Sequence, residues 1–281
     1  MAQAPDPAVP RDQNPAAHGP HIVVEKLEKS FGSFVALTEI DMTIPRGDVT
    51  VIIGGSGAGK TTLLKILIGL DRATGGSIRI DDLDITKLSE RELSRVRRRF
   101  GMVFQYSALL DSMDVLDNVA FPLREHTKLR EREIRDRVRD KLAVLGLEGT
   151  ESKYPSELSG GMRKRVGLAR ALMLEPEVVM YDEPTSGLDP ITTRMVDDLI
   201  LETRERFGVT SVVISHDMAG ALRMADQIVL LSKGRVVATG SPRELVEGDS
   251  ELMRDFVQSS GIAVERLLGD RASSLPATRQ G

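Results

Sequence analysis

The stretch VTVIIGGSGAGKTTLLKIL occupies residues 49–67, and its reading decides the fold. VTVIIG (49–54) is a continuous apolar run ending in glycines, the pattern of a strand buried on both faces of a parallel sheet. A helix is expected from Lys60 to about Leu70. Between them, GGSGAGKTT (54–62) fits the spacing G-x-x-x-x-G-K-[ST] through Gly54, Gly59, Lys60 and Thr61. Glycines let backbone N–H groups turn toward an anion without side-chain obstruction. The helix start adds partial positive charge, Lys60 reaches β- and γ-phosphates, and Thr61 offers a hydroxyl to Mg²⁺. A glycine-rich turn that merely contains a lysine is the plainer reading, but it leaves the junction of buried strand and helix unexplained. The loop points to a nucleotide triphosphatase or a kinase without saying which.

Outward from this loop the chain alternates strands and helices, which implies a parallel sheet with right-handed crossovers. Upstream, HIVVEKL and FVALTEIDMTI, separated by FGS, read as antiparallel strands. Downstream, GGSIRID (75–81) returns as a strand, and the chain then becomes charged and helical. SERELSRVRRR (89–99) and KLREREIRDRVRDKLAVLGL (128–147) are expected helices. In the second, Glu131/Arg135, Glu133/Arg137 and Arg132/Asp136 stand four apart on a solvated face, while Ile134, Val138, Leu142 and Leu145 form the buried stripe. The region of about 106–175 reads as a helical lobe. Strand EVVMYDEP (177–184), helix TTRMVDDLILETRERF (192–207), strand TSVVIS (210–215), helix DMAGALRMA (217–225) and the strand pair QIVLLSKGRVVATG complete the pattern.

Composition bounds the rest. The 281 residues with 41% apolar content suffice for one large domain, or one domain with a smaller lobe. A net charge of −4 is too weak to argue for nucleic acid as the main partner. There is no cysteine, which excludes disulfides and thiol chemistry. No apolar run approaches the roughly 18–20 residues that span a bilayer, and MAQAPDPAVPRDQNPAAHGP is not a secretory signal. The expected organisation is a disordered leader at 1–20, a catalytic domain at 21–240 and a partly flexible C-terminal extension at 241–281.

Two further strand ends carry chemistry. VVMYDEP ends in the adjacent acids Asp182 and Glu183, and at a strand's C-terminal end both can reach the ligand crevice. One acid can hold Mg²⁺ through water while the other polarises the water that attacks the γ-phosphorus. Tyr181, just before the pair, has a hydroxyl that must find a partner. His216 follows TSVVIS at another strand end; a lone histidine is ordinarily structural, but beside two chemical strand ends it reads as a contact to the γ-phosphate or the attacking water.

The ordered set GGSGAGKT, Gln105, LSGG (158–161), VVMYDEP, SGLD and His216 resembles the ATP-binding cassette (ABC) ATPases over about Ile22 to Gly240. The resemblance implies an α/β P-loop NTPase fold with a parallel core sheet, an N-terminal antiparallel β subdomain and an inserted helical subdomain. It implies ATP and Mg²⁺, with the nucleotide held by Gly54, Gly55, Ser56, Gly57, Ala58, Gly59, Lys60, Thr61 and Thr62. Phe31 matches the aromatic that stacks on adenine, although a single aromatic at a strand turn is otherwise core. Gln105 matches the glutamine that contacts Mg²⁺ and senses the membrane partner, beside Thr61 and Asp182 as metal-holding residues. Glu183 matches the general base. Ser159, Gly160 and Gly161 match the signature that meets the γ-phosphate of the opposite subunit, and Asp189 the loop linking the two sites.

That second anion-ready helix start at Ser159–Gly161 suits a head-to-tail homodimer, each signature closing the other's site. Met162, Val166, Ala169 and Met173 form an apolar stripe; Arg163, Lys164 and Arg165 read as a solvated face rather than a nucleic-acid contact. Methionine at 162 replaces the usual polar residue. With FGMVFQYSALLDSMDVLDNVAFPLREHT it resembles the ATPase of Mla/Mce-type lipid transport systems. This implies a peripheral place at the cytoplasmic face of the inner membrane beneath an integral permease, an MCE-domain partner, in some systems a small regulatory subunit, and phospholipid or another hydrophobic substrate. Leu109, Leu110, Met113, Val115 and Phe121 read either as core or as permease contacts. Leu245, Leu252 and Phe256 suggest a packing helix in the extension. Alternatives are a cassette for another substrate class or a non-transport ABC ATPase; a P-loop kinase is disfavoured because LSGG and the acid pair have no role in it.

Overall fold

A computed structural model describes residues 20–105 and 107–247. The leader up to residue 19, Tyr106 and the extension after residue 247, with the proposed Leu252/Phe256 packing, lie outside the described residues. Strands β1 (Pro20–Phe31) and β2 (Phe34–Pro45) form an antiparallel hairpin. They are followed by β3 (Val49–Ile53), α1 (Lys60–Leu67), β4 (Gly75–Ile80) and the short β5 (Leu83–Asp84). The first sheet has the order β2-β1-β4-β5, every neighbour antiparallel. Next come α2 (Glu90–Arg97), β6 (Phe100–Val103), α3 (Val115–His126), α4 (Glu131–Val144), α5 (Gly160–Ala171) and β7 (Val178–Asp182). The chain continues through α6 (Pro190–Phe207), β8 (Thr210–Ser215), α7 (Met218–Met224), β9 (Gln227–Ser232), β10 (Arg235–Gly240) and α8 (Pro242–Glu247).

The second sheet has the order β10-β9-β3-β8-β7-β6 and is parallel from β9 to β6; the edge strand β10 is antiparallel. Every residue of β3 is buried, as the unbroken apolar run requires. The period of two splits the strands between two cores. Val51, Ile53, Val179, Tyr181 and Val213 face the core shared with α6, α7 and the helical lobe. Ile52, Met180, Val212 and Ile214 face the core shared with α1, α2 and the antiparallel sheet. Each such side chain contributes about 1.5–3 kcal/mol over exposure, so the two cores outweigh any surface pairing.

Two local details depart from the sequence reading. Helix α1 stops at Leu67, short of the expected Leu70, because Gly69 turns the chain with φ 70°. Strand β6 was not expected; it is only four residues, FGMV, between a charged helix and the lobe. In α4 the predicted stripe is buried. Glu131 meets Arg135 at 3.3 Å and Glu133 meets Arg137 at 3.9 Å, whereas Asp136 meets Arg139 at 3.8 Å rather than the expected Arg132. Such exposed pairs contribute only a few tenths of a kcal/mol.

Polar groups bind the layers at two further places. Asn118, fully buried on α3, donates to the carbonyls of Leu110, Met113 and Asp114 at 3.0 Å and accepts from the Leu110 N–H at 2.8 Å, so it fixes the loop before the helix. At the junction of the two sheets, buried His21 meets Thr210 at 2.7 Å and Glu177 at 3.5 Å. Arg99 bridges Glu177 and Asp81, and Arg46 also meets Asp81. Burial, then Arg46, hold the His21 pKa down. Arg99 and Arg46 with Asp81 and Glu177 thus form an ion-pair network beside His21.

Asp48, at the opposite end of the sheet from the strand tips, has its carboxyl pushed from 3.8 up to about 6 by burial and by Asp226, against the opposing pull of Arg204. The folded state therefore binds this proton more tightly than the unfolded chain, and stability falls as pH rises through that window. Asp48→Asn is expected to raise the unfolding free energy by roughly 1–2 kcal/mol at about pH 7.5, the gain shrinking toward about pH 4.5. Thermal unfolding at both pH values checks this, and an unchanged gain at low pH would contradict it.

Candidate nucleotide site

The parallel register brings four strand ends to one level. Ile53 pairs with Ser215, Ile214 with Asp182, and Tyr181 with Val103. The chain thus leaves β3 into Gly54, β8 into His216, β7 into Glu183 and β6 toward Gln105 along one carboxyl edge, where ligands bind in such sheets.

The loop glycines divide into two kinds. A Cβ on Gly54 would come 2.2 Å from the Leu231 carbonyl oxygen, and Gly59 has φ +101° with Leu37 and Ala36 at 2.7 and 3.0 Å; packing demands these two. Gly55 and Gly57 face open space, as an approaching anion needs, with Ser56 exposed and Ala58 buried between the neighbouring turns. Gly59 caps α1 without a side-chain hydrogen bond, so the first-turn N–H groups of Lys60, Thr61 and Thr62 are left to a ligand. The Lys60 ammonium donates to the carbonyls of Gly54 at 2.7 Å and Gly55 at 3.2 Å and lies 3.8 Å from Glu183 Oε1.

On β7, burial and then the neighbouring Glu183 push the Asp182 pKa up, while Lys60 and Lys65 pull it down. Glu183 sits in the left-handed region with φ 48°, held by its N–H donating to the Ile214 carbonyl at 2.9 Å. Such a backbone costs on the order of 1–3 kcal/mol and turns the carboxylate away from the strand. Its Oε2 lies 2.6 Å from Nδ1 of His216, which is exposed. Ammonium, loop N–H groups, the Thr61 hydroxyl and an Asp182 carboxyl that a cation would relieve make a donor set suited to a triphosphate with a divalent ion.

Of the remaining candidates Gln105 lies at this edge, and the others stand on further elements. Gln105 is half-buried just past β6, its carbonyl accepting from Lys164 at 3.2 Å. Phe31 ends β1 opposite Phe34, half-exposed, with the Lys29 ammonium 4.6 Å from its ring centroid. Asp189 caps α6, accepting from the Ile191 and Thr192 N–H groups at 3.0 and 3.1 Å. Ser159 caps α5, its hydroxyl accepting from Met162 N–H at 3.3 Å. Gly160 and Gly161 leave that helix start open. Among the described residues no hydrogen bond or ion pair joins Ser159–Gly161 to the phosphate loop, so one chain presents two separate anion-ready turns.

The stripe of Met162, Val166, Ala169 and Met173 packs into the lobe core. The solvated face expected for Arg163–Arg165 is corrected at Lys164. That side chain is half-buried, its pKa lowered by burial, and it also donates to the Pro184 carbonyl. Three basic residues in a row conceal the point: at 100° per residue they cannot all face one way. Sequence reading also missed Asp197, buried on α6, whose ion pair with Arg223 at 2.5 Å ties α6 to the helix after His216.

This is the site of a P-loop ATPase whose second anion turn stands on an inserted helical lobe. The chain belongs to the ABC transporter family: the pattern so described matches residues 37–186 of 281. It is 43% identical over 243 residues to the intermembrane phospholipid transport system ATP-binding protein MlaF of Escherichia coli K12, covering 86% of this chain and 90% of that one. The mycobacterial protein named "Probable ribonucleotide transport ATP-binding protein mkl" (Mycobacterium tuberculosis) is 46% identical over 244 residues, covering 87% and 68%. Among solved structures, CbiO1 of Clostridium perfringens, part of the ABC transporter complex CbiONQ, superposes with a TM-score of 0.76 at 32% identity, covering 89% of this chain and 99% of that one. A dimeric post-hydrolysis state of the cassette MJ0796 bound to ADP and Pi gives 0.70 at 33%, covering 79% and 99%.

Tyr181 is buried, its pKa raised by that burial, and its hydroxyl lies beside Thr203 and Ser211 without closing a hydrogen bond of good geometry. The partner that the sequence demands is thus only a neighbour. Tyr181→Phe is expected to change stability by less than about 0.5 kcal/mol and to leave ATP turnover within twofold. A large loss of turnover in that variant would give the hydroxyl a part in the chemistry.

Proposed function

We propose that this ABC ATPase powers a lipid transporter, hydrolysing ATP as a homodimer beneath a membrane permease to move phospholipid or another hydrophobic molecule. The observation that carries the hydrolytic reading is the convergence of Lys60, Asp182, Glu183 and His216 at one sheet edge. We assign the cassette to residues 21–240, with the lobe at about 106–175 between a leader at 1–20 and an extension at 241–281.

Gly54 to Thr62 hold the triphosphate, with Lys60 exchanging its loop carbonyls for phosphate oxygens. Thr61, Asp182 and Gln105 would hold Mg²⁺, which when bound neutralises charge on the β- and γ-oxygens. Phe31 offers its half-exposed face to adenine. Glu183 accepts a proton from water as the water oxygen bonds to the γ-phosphorus and the bond to the β-bridging oxygen breaks, giving ADP and phosphate. His216 orients that carboxylate and reaches the γ-phosphate. Ser159, Gly160 and Gly161 close the site of a second copy, and Asp189 lies on the loop between the two sites.

The lipid assignment rests on the MlaF relatives and on Met162 together with the stretch FGMVFQYSALLDSMDVLDNVAFPLREHT. The mkl name favours ribonucleotide as a second reading. Phe104, Leu110 and Phe121 are each 41% exposed, and we read them as the permease contact, whereas Val115 is core and Leu109 and Met113 are partly covered. No helix among the described residues is long and apolar enough to cross a membrane. In this reading the cassette sits on the cytoplasmic face of the inner membrane with an MCE-domain protein as a further partner, some such systems adding a small regulatory subunit, and nucleic acid is not a partner.

Glu183→Gln is expected to keep ATP affinity within about threefold and to lower turnover by about 10²–10⁴-fold; full turnover would sink the base assignment. With ATP, that variant should elute as a dimer in size-exclusion chromatography. Ser159→Arg should bind ATP yet remain monomeric, and a dimer there would refute the signature role. For the cargo, the complex purified from native membranes is expected to carry phospholipid and to show ATPase stimulated by it. Stimulation by ribonucleotide alone would favour the second reading.

A further inference from the structure

A cation removed from water is ordinarily paired with a carboxylate. Lys164 is half-buried and forms no ion pair among the described residues; its ammonium donates instead to two carbonyls, those of Gln105 and Pro184. These belong to separate strand ends. Gln105 follows β6, and Pro184 comes directly after Glu183 at the end of β7. Lys164 itself stands on α5, five residues after the Ser159 cap. One ammonium thus joins the signature helix, the Gln105 turn and the strand end that carries the acid.

The same helix grips that turn again, further along. A Cβ on Gly167 would stand 3.1 Å from the Cβ of Ser107, so helix and turn are in close approach there. Arg170 donates to the carbonyls of Ser107 and Ala108, both at 2.8 Å. Positions 164, 167 and 170 lie three apart and share one face of α5. Ser107 and Ala108 hold φ of 61° and 44°, a backbone that surrounding contacts must sustain. Gln105 therefore has little freedom to move unless α5 moves with it.

We propose that Lys164 is a positioning residue that couples the Ser159 end of α5 to Gln105 and, through the Pro184 carbonyl, to the setting of Glu183. Its ammonium donates to two main-chain carbonyls of its own chain, so its part is to hold the segments that carry Gln105 and Glu183. When α5 is drawn onto the nucleotide of a second copy, the displacement is delivered by one side chain to the acid of its own site. Each signature then reports on the opposite site and adjusts its own. The inference rests on ATP hydrolysis at Glu183, and the test separates the two.

Lys164→Met removes the donors and the charge from a stem one atom shorter, Lys164→Gln removes the charge at that same reach, too short to span both carbonyls, and Lys164→Arg keeps the charge with donors. Turnover and affinity for a fluorescent ATP analogue are measured on the full chain, together with thermal unfolding. Lys164→Met is expected to lower kcat at least tenfold with KM and analogue affinity within threefold, and Lys164→Arg to restore at least a third of wild-type kcat. Should Lys164→Met not fold, Lys164→Gln is judged by the same split. Overturning results are a kcat within twofold of wild type, equal losses in kcat and affinity, or no rescue by arginine. A wild-type chain that binds the analogue but shows no hydrolysis sensitive to Glu183→Gln overturns the hydrolytic reading instead.

Discussion

The in-register pairing of four parallel strands is the constraint on which everything else depends. With Ile53, Ser215, Asp182 and Val103 leaving the sheet within a residue of one another, groups 54, 105, 183 and 216 residues along the chain become neighbours. A slip of one residue in β7 would exchange its two faces. The Tyr181 ring would turn toward α1 and the phosphate loop, and Asp182 would be driven into the core against α6. The complete burial of β3 secures the register, because an apolar strand covered by both cores has only one setting that hides all of it.

Within that frame the charges sort by environment. Asp182 and Glu183 are adjacent, yet burial and its neighbour push Asp182 toward its neutral form, so it gains most from a cation. Glu183 stands one residue further on, past the strand, where its left-handed backbone aims it between Lys60 and His216. Divergent surroundings for paired acids separate their roles. The strain at Glu183 is sustained by its N–H bond to β8, by its carbonyl accepting from the Ser186 N–H and, one residue later, by the grip of Lys164 on Pro184.

What could be read from residues alone follows a physical rule. Features set by local period or by a short spacing were legible: the buried run of β3, the α4 stripe, the phosphate loop, the Ser159 cap and the acid pair. Strand β6 was not, because four residues carry too little pattern to stand out between a charged helix and a loop. Nor were the contacts made across long sequence separation. The His21 network joins residues from 21 to 210, and Lys164 reaches Pro184, twenty positions on. A run of three basic residues reads as solvated because composition reports nothing of direction, and here direction decides. Pairs such as Asp197 and Arg223 are polar in sequence and become structural only once α6 and α7 are packed.

The site also limits where selectivity for a cargo can lie. In the proposed reading the groups at the sheet edge answer to a triphosphate, water or a divalent ion. On that reading a cargo would influence hydrolysis through a displacement of the segments that hold Gln105 and Glu183. Phe104 and Leu110 expose apolar surface on either side of the Gln105 turn, and Leu110 is locked to α3 by Asn118. A load applied there meets a stiff loop on one side and the Lys164, Gly167 and Arg170 contacts of α5 on the other. Closely packed elements shift as units rather than deform, so under the proposed coupling such a load would move α5 and the acid strand end together. On the proposed reading, coupling between an exposed apolar patch and the partly buried Glu183 then needs no dedicated relay beyond the contacts that already make the lobe pack on the sheet.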